Sequence, residues 1–190
     1  YNCDSNLIQI HRSGMAALTT TLLAVKAIKG NSSILQIGFP YVDVLKLPQI
    51  VFEGSDLIVK TNLSQIKEEL DKKKPAALII EIPSNPLLQC VDLISISKLA
   101  QSKNIPIIVD DTIGSSINVH LTPYADVVFS SLTKSFAGRG DILAGSTVIS
   151  PYSKWKKELT EIMPKVALST LSDSDSIELE ITSRDVKDRL

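Results

Sequence analysis

The chain has 190 residues, 44% of them hydrophobic and 22% charged, a balance that suits one globular domain with a substantial core. Its formal net charge of -1 and pI of about 6.2 leave no basic footprint for nucleic acid or for an anionic membrane surface. Cys3 and Cys90 form no CxxC pair, which argues against a disulfide framework or a zinc site and for a reducing, cytoplasmic setting. No apolar stretch approaches the roughly 20 residues of a membrane span, and a start at Tyr1 is expected of a processed or excerpted chain.

In chain order, HRSGMAALTTTLLAVKAIKG (11–30) predicts a helix with Ser13 as N-cap and Gly30 as its stop. The amides near Gly14 and Met15 then sit at the positive end of the helix dipole, where phosphate binds. SSILQIG (32–38) predicts a strand, and Tyr41 follows it in GFPYVD, placed to stack on an aromatic ring. SDLIVKT (55–61) is the next predicted strand, and KEELDKKK (67–74) is a solvated helix end. AALIIEI (76–82) leads to Ser84 and Asn85, and VDLISISKLAQSKN (91–104) has helical spacing. IPIIVD (105–110) ends at Asp110, followed by Asp111. ADVVFSS (125–131) runs through Ser130 and Ser131 to Thr133 and Lys134, and GSTVIS (145–150) completes six strands. PYSKWKKELTEIM (151–163) predicts a helix, LSTLSDSDS (168–176) a polar loop, and IELEITSRDVKDRL (177–190) the start of another helix.

Continuous apolar strands alternating with helices define an α/β fold with a mostly parallel sheet covered on both faces. Ligands of such sheets bind at the carboxyl ends of the strands, where the polar residues collect here. Lys134 is a candidate Schiff-base nucleophile, Ser131 and Thr133 can hydrogen-bond a phosphate, and Asp110 can pair with a protonated ring nitrogen. Pyridoxal 5'-phosphate (PLP) needs that combination. His11 and His120 lack any carboxylate at ligand spacing, so no metal site is expected. Arg139 suits either an anion grip or a free surface position.

SGMAA, PYVDVLK, IPSNPLL, IIVDDT and SSLTKS occur in the order and approximate spacing of the cystathionine γ-synthase family of Cys/Met-metabolism PLP enzymes. FPYVDVLK and VDDTIGSSINVHLTPYADVVFSSLTK resemble its fungal branch most. The resemblance covers nearly the whole chain. It implies the large domain of a fold type I, aspartate aminotransferase-like PLP enzyme over residues 1–165, without the family's N-terminal arm. Residues 166–190 would be a polar loop and the start of a linker helix toward a C-terminal small domain. It further implies that Lys134 forms the Schiff base, that Asp110 faces the pyridine nitrogen, and that Gly14, Met15, Ser131 and Thr133 hold the phosphate. Tyr41 would stack on the ring and assist proton transfer, Asn85 would lie near the ring hydroxyl, and the peptide before Pro86 is expected to be cis. Asp111 stands where many relatives carry Asn, and Val42-Asp43 replaces a glycine pair common in bacterial members. The implied activity is γ-replacement of an activated homoserine ester by cysteine, in a homo-oligomeric parent, dimer or tetramer, that acts on amino acids. A γ-lyase, a sulfhydrylase and a catalytically idle interaction domain are the alternatives.

Overall fold

The computed structural model describes residues 1, 3–59 and 62–190, so the last two residues of the strand expected over 55–61 lie outside the described residues. A 3-10 turn, Ser5–Leu7, leads into β1 (Ile8–His11) and then α1 (Gly14–Lys29). The ends of α1 follow from its capping chemistry. Ser13 is extended, its Oγ accepts the Ala16 N–H at 3.1 Å, and Gly30 at φ 83° closes the last turn onto the Lys26 carbonyl.

The remaining strands are β2 (Ile34–Ile37), β3 (Ser55–Ile58), β4 (Ala77–Glu81), β5 (Ile107–Asp110), β6 (Val127–Ser131) and β7 (Gly145–Ile149). They form one sheet in the order β1-β7-β6-β5-β4-β2-β3. The five strands from β3 to β6 are parallel, whereas β7 runs antiparallel to both β6 and β1. The connection from β6 to β7 contains no crossover helix, so the chain turns back beside the strand it has just left. β1 was not among the six expected strands. Its four residues carry too short a pattern, and pairing with β7 makes it a strand.

Every residue of β2, β4, β5 and β7 is buried, as a sheet covered on both faces requires. On one face α1 and α2 (Val42–Val51) pack Leu18, Leu22 and Val44 against Ile34, Ile79, Ile108 and Phe129. On the other, α3 (Leu63–Lys73) and α4 (Leu93–Ser102) pack Ile66, Leu70 and Ile96 against Leu35, Leu78, Ile107 and Val128. α5 (Ser115–Asn118) is a single turn after β5, and α6 (Lys156–Val166) sets Leu159 and Met163 beside Ala24.

α7 (Asp173–Ser183) begins inside the stretch expected to be a polar loop. The Ser172 hydroxyl accepts the Asp175 N–H at 3.2 Å, and Asp173 and Asp175 sit in the first turn, where carboxylates oppose the helix dipole favourably. α8 (Val186–Arg189) follows. Leu179 of α7 packs on Leu132, Ala137, Ile142 and Ala144, so the segment after Val166 lies against the connection between β6 and β7.

The start of α1 packs closely on β7. A Cβ on Gly145 would stand 2.3 Å from the Ser13 carbonyl oxygen and 2.6 Å from the Gly14 nitrogen, and backbone cannot swing aside as a side chain does. Gly145→Ala is therefore expected to destabilise the chain by about 2–4 kcal/mol. Gly54→Ala, with nothing within 4 Å, should stay within about 0.5 kcal/mol of the parent; urea denaturation of both variants measures the contrast.

Candidate active site

Three neighbouring strands of the parallel sheet end in carboxylates or a hydroxyl on the face that α1 covers: Glu81 of β4, Asp110 of β5 and Ser131 of β6. Side chains alternate along a strand, so Asp110 shares its face with Ile108, which packs under α1. Asp111 falls on the opposite face. It is fully buried there, with Oδ2 accepting the Tyr1 hydroxyl, and burial raises its pKa.

The strand ends and the start of α1 enclose a cavity of about 420 Å³, which brings together all eight residues selected from the sequence. At its floor lie Gly14 and Met15. The Ala16 amide is taken by the Ser13 hydroxyl and the Ala17 amide by the Ser13 carbonyl. The amides of Gly14 and Met15, the first two of the helix, have no intrahelical acceptor by geometry and no acidic side chain beside them in the first turn. A Cβ on Gly14 would lie 2.9 Å from the Ser131 Cβ, so glycine lets the helix end come down onto β6. Such an end is an anion site.

Asp110 forms one wall. Its Oδ1 accepts both the Thr112 N–H at 2.9 Å and the Thr112 hydroxyl at 2.6 Å, and that hydroxyl oxygen accepts the Ser131 N–H at 2.9 Å. Burial outweighs these bonds and raises the Asp110 pKa to about 7, with the charges of Glu81 and Asp111 adding to the rise. Glu81 sits directly beside Asp110 in the strand register. Its two oxygens accept the Tyr41 N–H at 2.7 Å and the Asn85 N–H at 3.2 Å, and burial raises its pKa against those two bonds. Glu81 thereby ties both loops that carry Tyr41 and Asn85 to the end of β4.

Lys134 and Tyr41 border the cavity with exposed side chains. The Thr133 hydroxyl bridges the β6–β7 connection, accepting the Ala144 N–H at 3.0 Å and lying 3.3 Å from the Ala144 carbonyl. Asn85-Pro86 is cis, and so is Ile82-Pro83. Glu81 and Thr112 went unnoticed in the sequence. Glu81 stood inside an apolar run, although its place at that run's carboxyl end was the available signal. Arg139 lies elsewhere, paired with Glu178 of α7 at 3.1 Å. A second cleft of about 400 Å³ contains Lys29, Asp71 and Lys103, but Lys103 is already paired with Asp71.

A sequence profile described as Cys/Met metabolism PLP-dependent enzyme matches residues 5–179. The chain belongs to that family. It is 35% identical over 158 residues to cystathionine γ-synthase of Neurospora crassa, covering 80% of this chain and 25% of the relative. It is 32% identical over 191 residues to an alanine racemase of Aspergillus violaceofuscus, covering 95% of this chain and 32% of that one. Its fold matches cystathionine γ-synthase of Xanthomonas oryzae pv. oryzae with a TM-score of 0.82 at 23% identity, over 95% of this chain and 47% of the other. The chain thus spans about a quarter to a third of the length of these two curated relatives. The family's cofactor is PLP, and the cavity suits it: two open amides at a helix start, a glycine where a Cβ would intrude, and a buried carboxylate short of a cationic partner.

Without cofactor, Asp110 weakens the fold at neutral pH. Between its ordinary pKa of 3.8 and about 7, the folded chain keeps a proton that the unfolded chain has lost, so stability falls as pH rises through that window and stays low above it. Asp110→Asn should make the cofactor-free chain more stable at pH 8 by about 2–4 kcal/mol, with the difference closing toward pH 4. Urea denaturation across that range tests the sign.

Proposed function

We propose that the chain is the cofactor-binding part of an enzyme that joins cysteine to an activated homoserine ester by γ-replacement, giving cystathionine. The observation that carries this reading is the meeting of Lys134, Asp110 and the open end of α1 in one cavity. When bound, PLP supplies a covalent handle for the substrate amine and an electron sink for carbanion chemistry. Asp110 would face the ring nitrogen and favour its protonated form, and Thr112 holds that carboxylate in place through Oδ1. The Gly14 and Met15 amides, with Ser131 and Thr133, would hold the phosphate. Lys134, on an exposed turn at the cavity, would hold the cofactor covalently and would move protons at the substrate's Cα and Cβ. Tyr41 would cover the ring and assist proton transfer, and Asn85 would lie near the ring hydroxyl.

Relatives support the reaction class: the Neurospora protein is named a cystathionine γ-synthase, and the Xanthomonas structure holds aminoacrylate and cysteine. The racemase relative shows why the reaction must be assayed directly. A homo-oligomeric, cytoplasmic enzyme acting on amino acids belongs to the same proposal; exposed Ile113 and Leu143 at the cavity suit cover by a second copy.

Borohydride reduction of the PLP-loaded chain, followed by peptide mapping, should place the label on Lys134. In the assay, cystathionine should accumulate from O-acylhomoserine only when cysteine is present. A keto acid formed equally well without cysteine would indicate a γ-lyase, homocysteine formed from sulfide a sulfhydrylase, and a colourless chain an idle domain. Lys134→Ala should lower turnover about a thousandfold or more.

A further inference from the structure

The turn carrying Lys134 is held at its start by Thr133, whose hydroxyl meets the Ala144 backbone, and on its far side by the C-terminal segment. Lys134 is exposed, and its turn is closed by backbone bonds: the Lys134 N–H reaches the Ser131 carbonyl at 3.3 Å, the Ala137 N–H the Leu132 carbonyl at 2.9 Å and the Gly138 N–H the Lys134 carbonyl at 2.9 Å. The two carbonyls that follow Lys134 point at the C-terminal segment. There Arg189 donates from Nη2 to the Phe136 carbonyl at 2.5 Å and to the Ser135 carbonyl at 3.3 Å, with Nε 3.4 Å from the latter. Asp185 pairs with Nη1 and fixes the fork.

A second feature marks the same contact. Gly138 has φ +79°, and a Cβ there would lie 2.5 Å from the Arg189 Nε and 2.7 Å from its Cζ. The guanidinium thus occupies the space a side chain at 138 would fill. Leu179 beneath the connection and the Arg139–Glu178 pair hold α7 to the same loop.

We propose that Arg189 is a positioning residue for Lys134, clamping the two carbonyls after it so that the amine is presented to the cofactor's aldehyde. In the step it serves, the neutral amine nitrogen forms a C=N bond to the aldehyde carbon, and the aldehyde oxygen leaves as water with the two amine hydrogens. The inference rests on the assignment of Lys134 above.

The test uses two probes on the whole chain: PLP, whose link to Lys134 is read by visible absorbance, and 4'-deoxypyridoxine 5'-phosphate, which keeps the ring and phosphate but has no aldehyde. Arg189→Met retains much of the stem packing and removes the fork. It should weaken PLP binding about tenfold or more, the scale of losing charge-assisted hydrogen bonds, while the analogue's affinity stays within about twofold. Arg189→Lys should recover part of the loss. Gly138→Ala should reproduce the defect and add less to it in the Arg189→Met background than in the parent. Equal losses for both probes, or no loss for either, would overturn the inference while leaving Lys134 as the labelled residue. A parent chain whose borohydride label falls elsewhere would overturn the assignment of Lys134 and this inference together.

Discussion

Two positions without side chains, Gly14 and Gly145, let the first turn of α1 rest directly on the ends of β6 and β7. That contact sets the geometry of the cavity. A methyl at either position would push the helix start away from the sheet. With the contact made, the positive end of the α1 dipole, the Asp110 carboxylate and the Lys134 turn border one space. Favourable helix capping by Ser13 also leaves the first two amides free for a ligand, because a single hydroxyl satisfies only the third.

The same arrangement gathers carboxyl groups where burial disfavours their charged form. Glu81 and Asp110 lie side by side in the register, and Asp111 is buried one residue further on. Each has its pKa raised chiefly by burial. Glu81 and Asp111 spend their oxygens partly on structure, through the Tyr41 and Asn85 amides and the Tyr1 hydroxyl respectively. Asp110 has Thr112 on one oxygen only. Asp111 likewise has one oxygen, Oδ1, buried without a partner; the Asp110 carboxylate differs in lining the cavity, where a cationic group would offset the cost of burying its charge.

The connection between β6 and β7 joins the site to the rest of the chain. It lacks a helix, so its shape depends on what packs on it: the Thr133 hydroxyl across to Ala144, Leu179 of α7 beneath it, and Arg189 on its carbonyls. The C-terminal segment, which looked in sequence like a chain leaving the domain, supplies two of these three supports.

Much of this was visible in the amino-acid order. Apolar runs marked six of the seven strands, Ser13 and Gly30 bounded α1, and the polar residues after the runs marked the end of the sheet where the cavity lies. These are local properties: burial on both faces demands continuous apolar strands, and caps act within one turn. The five ordered motifs also carried the family, and with it the cofactor. Other features needed partners distant in sequence. β1 is a strand because β7 lies beside it, and Glu81 belongs to the site because its oxygens meet amides from two loops. Asp110 and Asp111 are neighbours of the same type, separated only by the face of the sheet each one meets. Arg189 is one charge among many until folding brings it onto a turn 53 residues away, at the Phe136 carbonyl. Periodicity and capping report how a segment folds against an unspecified neighbour; which neighbour it meets, and so which buried polar group finds a partner, is set by chain topology.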